Sequence, residues 1–333
     1  MSPVSRTRPP DFSTFESADR EGRKTSGTGY RFLEPAVLAK VENLAIAARG
    51  LVEGFITGLH ASPYKGYSVE FAEHRNYVAG DNLRHLDWRM LARTDRLYIK
   101  QYEEETNLRA QIVVDTSGSM LYRAPRGKIT KLEYASFLAA VLGYLMTRQQ
   151  DAVALATFDE QVRIDMPPRT TARGFTEMVR QLETVCDTLK QHHAHQTGHR
   201  TRIAETLHGL AERLKKRSLV ILISDLYDDP DAVMQSLHHF RHRRHELVVF
   251  HVFDQQEVDF SFTDPMQVVD METGERLQID PAYVRDEYRR QINQFIDNYR
   301  GRCSESQIDY VMTHTGVPYD LMLSRYLARR SGS

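Results

Sequence analysis

The sequence predicts an α/β protein built on a doubly wound, mostly parallel sheet. From residue 108 onward, short apolar stretches typical of buried strands alternate with segments of helical periodicity. This alternation favours parallel strands joined by right-handed helical crossovers, with helices on both faces of the sheet. The most continuous apolar stretches lie at 111–114, 218–224 and 247–253, and stretches with so few polar positions are typical of central strands.

Composition limits the classes of protein that fit. The 333 residues are 41% hydrophobic, which is enough for one large or two ordinary domains. The 44 basic and 45 acidic residues argue against nucleic-acid binding driven by overall charge. With only Cys186 and Cys303, neither a disulfide framework nor a cysteine zinc site is indicated. No apolar stretch approaches the ~20 residues that cross a bilayer, and the N-terminus lacks a signal-peptide core, so we expect a cytoplasmic protein.

The chain divides into three predicted parts. Residues 1–29 are rich in Ser, Thr, Pro and Gly and predict a disordered tail. Residues 30–106 predict an amphipathic helix at 34–58, followed by an irregular, β-rich and aromatic segment that packs on the main domain. Residues 107–333 predict the α/β domain with helices at its C-terminal end.

Each element of the main domain follows from one of two patterns. Helical segments repeat apolar residues three or four apart, and strands are short apolar or alternating stretches. The polar turn at 270–275 is typical of a hairpin. In chain order we expect a strand at 111–114, a helix at 132–148, a strand at 152–158 paired with 162–166, helices at 175–189 and 203–214, a strand at 218–224, a helix at 232–243, a strand at 247–253, a hairpin at 266–279, a helix at 281–302, a strand at 308–313 and a helix at 318–329.

A polar loop directly follows the first predicted central strand. Asp115, Ser117 and Ser119 have the spacing D-x-S-x-S there. Open α/β sheets place their ligand sites at the carboxyl ends of strands. One carboxylate and two hydroxyls on a tight loop offer the oxygen ligands that Mg²⁺ prefers. The loop therefore predicts a metal site at this edge of the sheet.

The loop resembles the metal-ion-dependent adhesion site of von Willebrand factor A domains, which have a Rossmann-type sheet. That resemblance implies a threonine on a second loop, where Thr201 follows His199-Arg200 in place of two glycines, and an aspartate after the next central strand. It also implies Mg²⁺ or Mn²⁺ as cofactor and a partner's acidic side chain as ligand. The implied metal ligands are Asp115, Ser117, Ser119, Thr201 and Asp225.

The segment before this loop carries a second resemblance. The pattern R-x-Y-x-x-G-D-x-x-R-x-x-D-W resembles the bacterial family called domain-of-unknown-function 58, in which such a segment precedes a von Willebrand A-like domain. This resemblance covers roughly residues 64–225 and implies a MoxR-type AAA+ ATPase, or its client, as partner. Its residues are Arg75, Tyr77, Gly80, Asp81, Arg84, Asp87 and Trp88, followed by Ala92-Arg93.

The sequence predicts a non-enzymatic, adaptor or chaperone-like protein, and leaves alternatives open. A metal-dependent hydrolase would use the same site, with Ser117 activated by a histidine, but no hydrolase motif or phosphate-binding loop is present. A structural protein with no metal is a third reading. Trp88 and Arg243 are predicted to widen the partner-binding surface. The histidine-rich stretch 191–199 is interpreted as a polar loop rather than as a transition-metal site.

Overall fold

A computed structural model of the chain describes residues 44–60, 74–76, 98–100, 108–125, 127–192, 203–269 and 276–324. The strands are β1 (His74–Asn76), β2 (Tyr98–Lys100), β3 (Arg109–Asp115), β4 (Ala152–Phe158), β5 (Val162–Arg169), β6 (Leu219–Ser224), β7 (Glu246–Phe253), β8 (Met266–Val269), β9 (Arg276–Ile279) and β10 (Asp309–His314). The helices are α1 (Leu44–His60), α2 (Lys131–Arg148), α3 (Ala172–His192), α4 (Ile203–Arg213), α5 (Pro230–His242), α6 (Gln255–Asp259), α7 (Pro281–Glu305) and α8 (residues 319–324).

Six strands form the central sheet, in the order β10-β7-β6-β3-β4-β5. All neighbours in this sheet are parallel except β4 and β5, and the pairs β1–β2 and β8–β9 form separate antiparallel ribbons. The strand order reverses at β3, because the chain proceeds to β4 on one side and to β6 on the other. Val114 of β3 lies opposite Ile223 of β6, so both strands end at the same level of the sheet.

Helices cover both faces of the sheet, and the side chains of β3 are apolar on each of these faces. Ile112 and Val114 belong to one core, together with buried residues of α1, α2, α3 and α8. Val113 points to the opposite core, which contains buried residues of α4, α5 and α7. This is the arrangement that continuous apolar strands require. The predicted α/β fold class with a mostly parallel sheet is therefore confirmed.

The N-terminal helix α1 packs on the sheet domain through α2 and α3. Its residues Ala47, Ala48, Leu51 and Val52 are buried in the first core. Polar contacts hold its start and its middle, since the Leu44 N–H donates to Glu183 and the Tyr144 hydroxyl donates to Glu53. The division predicted at residues 29 and 106 stays a prediction, because 1–43 and most of 61–107 lie outside the described residues.

The observed elements differ from the predicted ones at their ends. Strand β5 continues through Pro167 and Pro168 to Arg169, which is compatible with its place at the edge of the sheet, where proline leaves no central hydrogen bond unmade. Helix α6 and a 3-10 turn at Gly118–Leu121 were not predicted, because such short helices have too little periodicity. The hairpin β8–β9 is confirmed.

Among the described residues, no helix combines the length and apolar character needed to cross a bilayer.

We expect Leu51→Ala to lower the free energy of unfolding by about 2–5 kcal/mol, since its side chain is only 2% exposed between α1 and the sheet domain. Urea denaturation measures the change. Ile46→Ala is the matched control on the same helix, because the Ile46 side chain is 58% exposed, and it should change stability by less than about 0.5 kcal/mol. Equal losses in both variants would show that α1 does not contribute to the core.

Candidate metal centre at the ends of two parallel strands

Asp115 is the last residue of β3 and is completely buried. Its carboxylate accepts one hydrogen bond from the loop that follows β3 and one from the last residue of β6. The Ser117 N–H donates to Oδ1 at 2.9 Å, and the Ser224 hydroxyl donates to Oδ2 at 2.5 Å. The Ser224 oxygen itself accepts a hydrogen bond from the Leu226 N–H at 2.9 Å, which leaves its proton for Asp115. The carboxylate is therefore held by residues from two adjacent strand ends.

The loop after β3 is pinned to the neighbouring strand β4. The N–H and the hydroxyl of Thr116 both donate to the Phe158 carbonyl, at 2.7 and 2.8 Å. Ser117 then begins the 3-10 turn at Gly118–Leu121, and the hydroxyl oxygens of Ser117 and Ser119 lie 3.1 Å apart. Ser117 is buried whereas Ser119 is partly exposed, so the two hydroxyls extend from the buried carboxylate toward the surface.

Asp225 follows β6 directly and is also completely buried. The chain turns sharply after it, because Leu226 has a φ of 52° in the left-handed region. That conformation costs roughly 1–2 kcal/mol for a residue with a Cβ. The buried Leu226 side chain and its N–H bond to Ser224 hold the turn in place. The Tyr227 N–H reaches Asp225 Oδ1 at 3.4 Å.

A neutral histidine forms a hydrogen bond with the backbone of Asp225. His251 of β7 is buried, and burial lowers the pKa of its imidazole to about 3. Its Nε2–H therefore donates to the Asp225 carbonyl at 2.8 Å, and its Nδ1 accepts from the Tyr310 hydroxyl at 2.6 Å. The imidazole satisfies a buried backbone carbonyl without adding charge.

Lys131 places an ammonium group inside this site, which sequence reasoning missed. Its Nζ lies 2.8 Å from Asp225 Oδ2 and 3.0 Å from Glu257 Oε1, and its side chain is fully buried. The rings of Tyr227 and Tyr122 lie with their centroids 4.8 and 5.7 Å from Nζ. Burial acts to lower the pKa of Lys131, but the two carboxylates raise it above its usual value, so the amine is charged.

Glu257 is positioned by the short helix α6. Asp254 caps that helix, with its carboxylate accepting from the Gln256 N–H at 2.8 Å. In return the Asp254 N–H donates to Glu257 Oε2 at 2.6 Å, while Oε1 of the same carboxylate accepts from Lys131. This capping box fixes Glu257 at the point where it can share the ammonium with Asp225.

The donor set fits a hard divalent cation. The Asp115 carboxylate and the Ser117 and Ser119 hydroxyls are oxygen ligands of the kind that Mg²⁺ and Mn²⁺ accept. Burial, and then the charge of Asp225, raise the pKa of Asp115 well above its usual range. A divalent cation bound beside Asp115 would favour the ionised form of this carboxyl, whose pKa burial and Asp225 otherwise raise.

The family comparison covers this whole region. A family model described as "Protein of unknown function DUF58" matches residues 73–295, which include both strand ends, Lys131 and Glu257. The chain belongs to the DUF58 family. Curated relatives include "Uncharacterized protein Rv1480" of Mycobacterium tuberculosis (strain ATCC 25618 / H37Rv) and "Uncharacterized protein Mb1516" of Mycobacterium bovis. Each is 25% identical over 259 residues, covering 77% of this chain and 78% of the relative.

Three solved structures have low similarity to parts of this chain. BatB from Bacteroides thetaiotaomicron is 13% identical with a TM-score of 0.42, covering 68% of this chain and all of that one. The SpRpn10 VWA domain is 10% identical with a TM-score of 0.32, covering 63% and 89%. Manganese-loaded TRAP from Plasmodium vivax is 14% identical with a TM-score of 0.27, covering 43% and 56%. These TM-scores are too low to support a fold assignment. The fold class therefore rests on the observed strand order, and the family on the DUF58 match.

The structure of this DUF58 protein brings four of the predicted ligands to one edge of the sheet: Asp115, Ser117, Ser119 and Asp225. Thr201 and Trp88 lie outside the described residues, and their roles stay predictions. Arg243, the other predicted partner-binding residue, follows α5 and forms an ion pair with Glu212 of α4 at 3.1 Å.

One signal in the sequence could have indicated Lys131. The residue occupies the first position of α2, after the capping residue Thr130. The helix macrodipole disfavours a cation at that position. A residue that breaks a local rule of this kind often has a tertiary partner that compensates, and here Asp225 and Glu257 provide it. Which carboxylates they are depends on the folded structure, because they lie 94 and 126 residues away in sequence.

We expect Lys131→Met to lower the free energy of unfolding by roughly 3–5 kcal/mol, because it leaves the buried carboxylate of Asp225 and the largely buried carboxylate of Glu257 without their cation. The double variant Lys131→Met/Glu257→Gln should recover part of this loss, since one of those charges is then removed. Lys128→Met, at an exposed position just before the helix, is the control. Chemical denaturation yielding the same stability for Lys131→Met and Lys128→Met would contradict the ion-pair assignment.

We expect Asp115→Asn to abolish Mg²⁺ and Mn²⁺ binding while preserving the fold, since the amide keeps the shape of the side chain and removes its charge. Titration calorimetry measures binding, and circular dichroism checks the fold. Asp165→Asn removes an exposed carboxylate from β5 and should leave binding unchanged. Equal affinities in wild type and Asp115→Asn would refute the metal assignment.

Proposed function

We propose that this DUF58 protein is a metal-dependent protein-binding module, which captures an acidic side chain of a partner at the carboxyl ends of β3 and β6. The observation that carries this proposal is the convergence of the oxygen ligands of Asp115, Ser117 and Ser119 beside Asp225 at one edge of the sheet. When bound, Mg²⁺ or Mn²⁺ would supply a coordination position for a carboxylate from outside the chain.

The division of charge among the site residues favours binding of an anion. Lys131 already offsets part of the negative charge on Asp225 and Glu257, with which it is in direct contact. The hydroxyls of Ser117 and Ser119 are neutral. Asp115 is therefore the one ligand among these three that brings a negative charge to a bound cation. Little negative charge is then left to repel an incoming carboxylate.

The route to the surface also supports this proposal. Asp115 and Asp225 are fully buried and cannot touch a partner. Ser119 and Tyr122 are partly exposed, and Arg123 next to them is exposed. These residues mark the side from which a partner would approach, and Arg123 adds positive charge there. A single carboxylate contact is too weak for stable binding, so a surface approaching about 800 Å² on each partner is expected around it.

The contacts of Ser117 support binding rather than hydrolysis. Its hydroxyl lies against Ser119, and the buried imidazole of His251 on β7 is engaged by the Asp225 carbonyl and Tyr310. A serine nucleophile needs a general base within hydrogen-bond reach. Within the part of the chain that the structure describes, Ser117 has no such histidine contact. We therefore propose a non-enzymatic adaptor or chaperone-like role.

The first candidate partner is a MoxR-type AAA+ ATPase, or a client of that ATPase, as the family resemblance implies. We expect a purified MoxR-type ATPase from the same source to bind the full chain in Mg²⁺. Binding should be lost in EDTA and in Asp115→Asn, because both remove the cation or its charged ligand. Biolayer interferometry with immobilised full chain measures the affinity.

Asp165→Asn is again the matched control and should bind the ATPase as the wild type does. The same affinity in Mg²⁺ and in EDTA would contradict the metal-dependent mechanism. Failure of the ATPase to bind in either condition, while calorimetry shows normal Mg²⁺ binding, would contradict the proposed partner but not the metal site.

A further inference from the structure

A second group of metal-ligating side chains lies on the surface between α4 and α5. It consists of His208 and Glu212 of α4 and His239 of α5, whose ligand atoms all lie within 4.8 Å of one another. The Nε2 of His239 is 2.7 Å from Glu212 Oε1. The rings of His208 and His239 are stacked, with centroids 4.2 Å apart and planes 22° apart. None of these residues takes part in the site at the ends of β3 and β6.

The two helices hold these side chains in a fixed relation. His208 and Glu212 are four residues apart, so they project from the same face of α4, one turn from each other. Leu207 and Leu210 of α4 are buried in the same core as Leu237 of α5. The Ser236 hydroxyl also donates to the Ala204 carbonyl at 2.7 Å, which ties the helices together beside the cluster. The ligand-bearing backbones are therefore positioned before any ion binds.

We propose that His208, Glu212 and His239 form a zinc-binding site that links α4 to α5. Two imidazoles and one carboxylate are a ligand set that Zn²⁺ accepts, with water in the fourth position. Mg²⁺ is a poor fit, because it prefers carboxylates, carbonyls and water to imidazole. Zinc bonds of about 2.0–2.2 Å place neighbouring ligand atoms roughly 3.3 Å apart, so the stacked imidazoles must turn toward a common point when zinc binds.

Arg243 has a place in this site as an outer partner. Its guanidinium contacts Glu212 Oε2 at 3.1 Å, whereas His239 contacts Oε1. The carboxylate is therefore oriented with one oxygen toward the histidines and the other toward Arg243. Partners of this kind fix the direction of a metal ligand and raise metal affinity. The same contacts can also form without zinc, as an ordinary ion pair and a ring stack. The experiment therefore distinguishes a zinc site from these ordinary contacts.

A zinc ion here would act on the same element that leads to the predicted Mg²⁺ site. Helix α4 begins at Ile203, two residues after the predicted ligand Thr201. Zinc bound between α4 and α5 would restrict motion of α4 against the sheet. It would also stabilise the folded state, because an ion that binds only the folded chain raises the melting temperature.

The test is calorimetric titration of the metal-free full chain with ZnCl₂, together with its melting temperature with and without zinc. The wild type should bind zinc and melt at a higher temperature in its presence. His208→Ala/His239→Ala should weaken this binding by at least about tenfold and remove the zinc-dependent rise in melting temperature. Glu212→Gln, which keeps the side-chain shape at an exposed position, should weaken binding as well.

Two controls distinguish this site from other histidines. His242→Ala removes an exposed imidazole from the end of α5 and should bind zinc as the wild type does. Replacing all four histidines of the histidine-rich stretch (His192→Ala, His193→Ala, His195→Ala and His199→Ala) should likewise leave zinc binding unchanged. The proposal is overturned if the wild type binds no zinc. It is equally overturned if His208→Ala/His239→Ala binds zinc with wild-type affinity and stoichiometry.

Discussion

The contact of Lys131 with Asp225 and Glu257 is the interaction on which the candidate site depends. Parallel strands β3 and β6 end side by side. Asp115 is the last residue of β3, Asp225 directly follows β6, and both aspartates are fully buried. Two carboxylates so placed repel each other and lose their hydration. The buried ammonium, with the tyrosine rings beside it, is what allows this concentration of negative charge inside a folded domain.

The remaining parts of the site satisfy polar groups without adding charge. The neutral imidazole of His251 donates to the Asp225 carbonyl, and the Ser224 hydroxyl donates to Asp115. The left-handed turn at Leu226 is tolerated because its side chain is buried and its N–H is bonded. Together these contacts fix the two aspartates, whereas Ser119 lies on the partly exposed side of the loop.

The sequence indicates the framework of this site but not its internal cation. Apolar strands ending in Asp115 and Asp225, together with alternating helices, predict a shared sheet edge because parallel strands end on the same side. Lys131 is adjacent to neither aspartate in sequence, and its partner Glu257 lies on a helix of five residues that periodicity does not detect. His208 and His239 likewise become neighbours only when α4 packs on α5. Contacts between distant segments are the part that local patterns do not determine.

The most direct measurement is anomalous diffraction at the manganese edge from crystals of the full chain grown with MnCl₂. The proposed site requires a peak among Asp115, Ser117 and Ser119, with the Lys131 ammonium still in contact with Asp225 and Glu257. No peak at this edge of the sheet, or a Lys131 side chain displaced from Asp225 by the ion, would contradict a site in which the lysine and the metal act together.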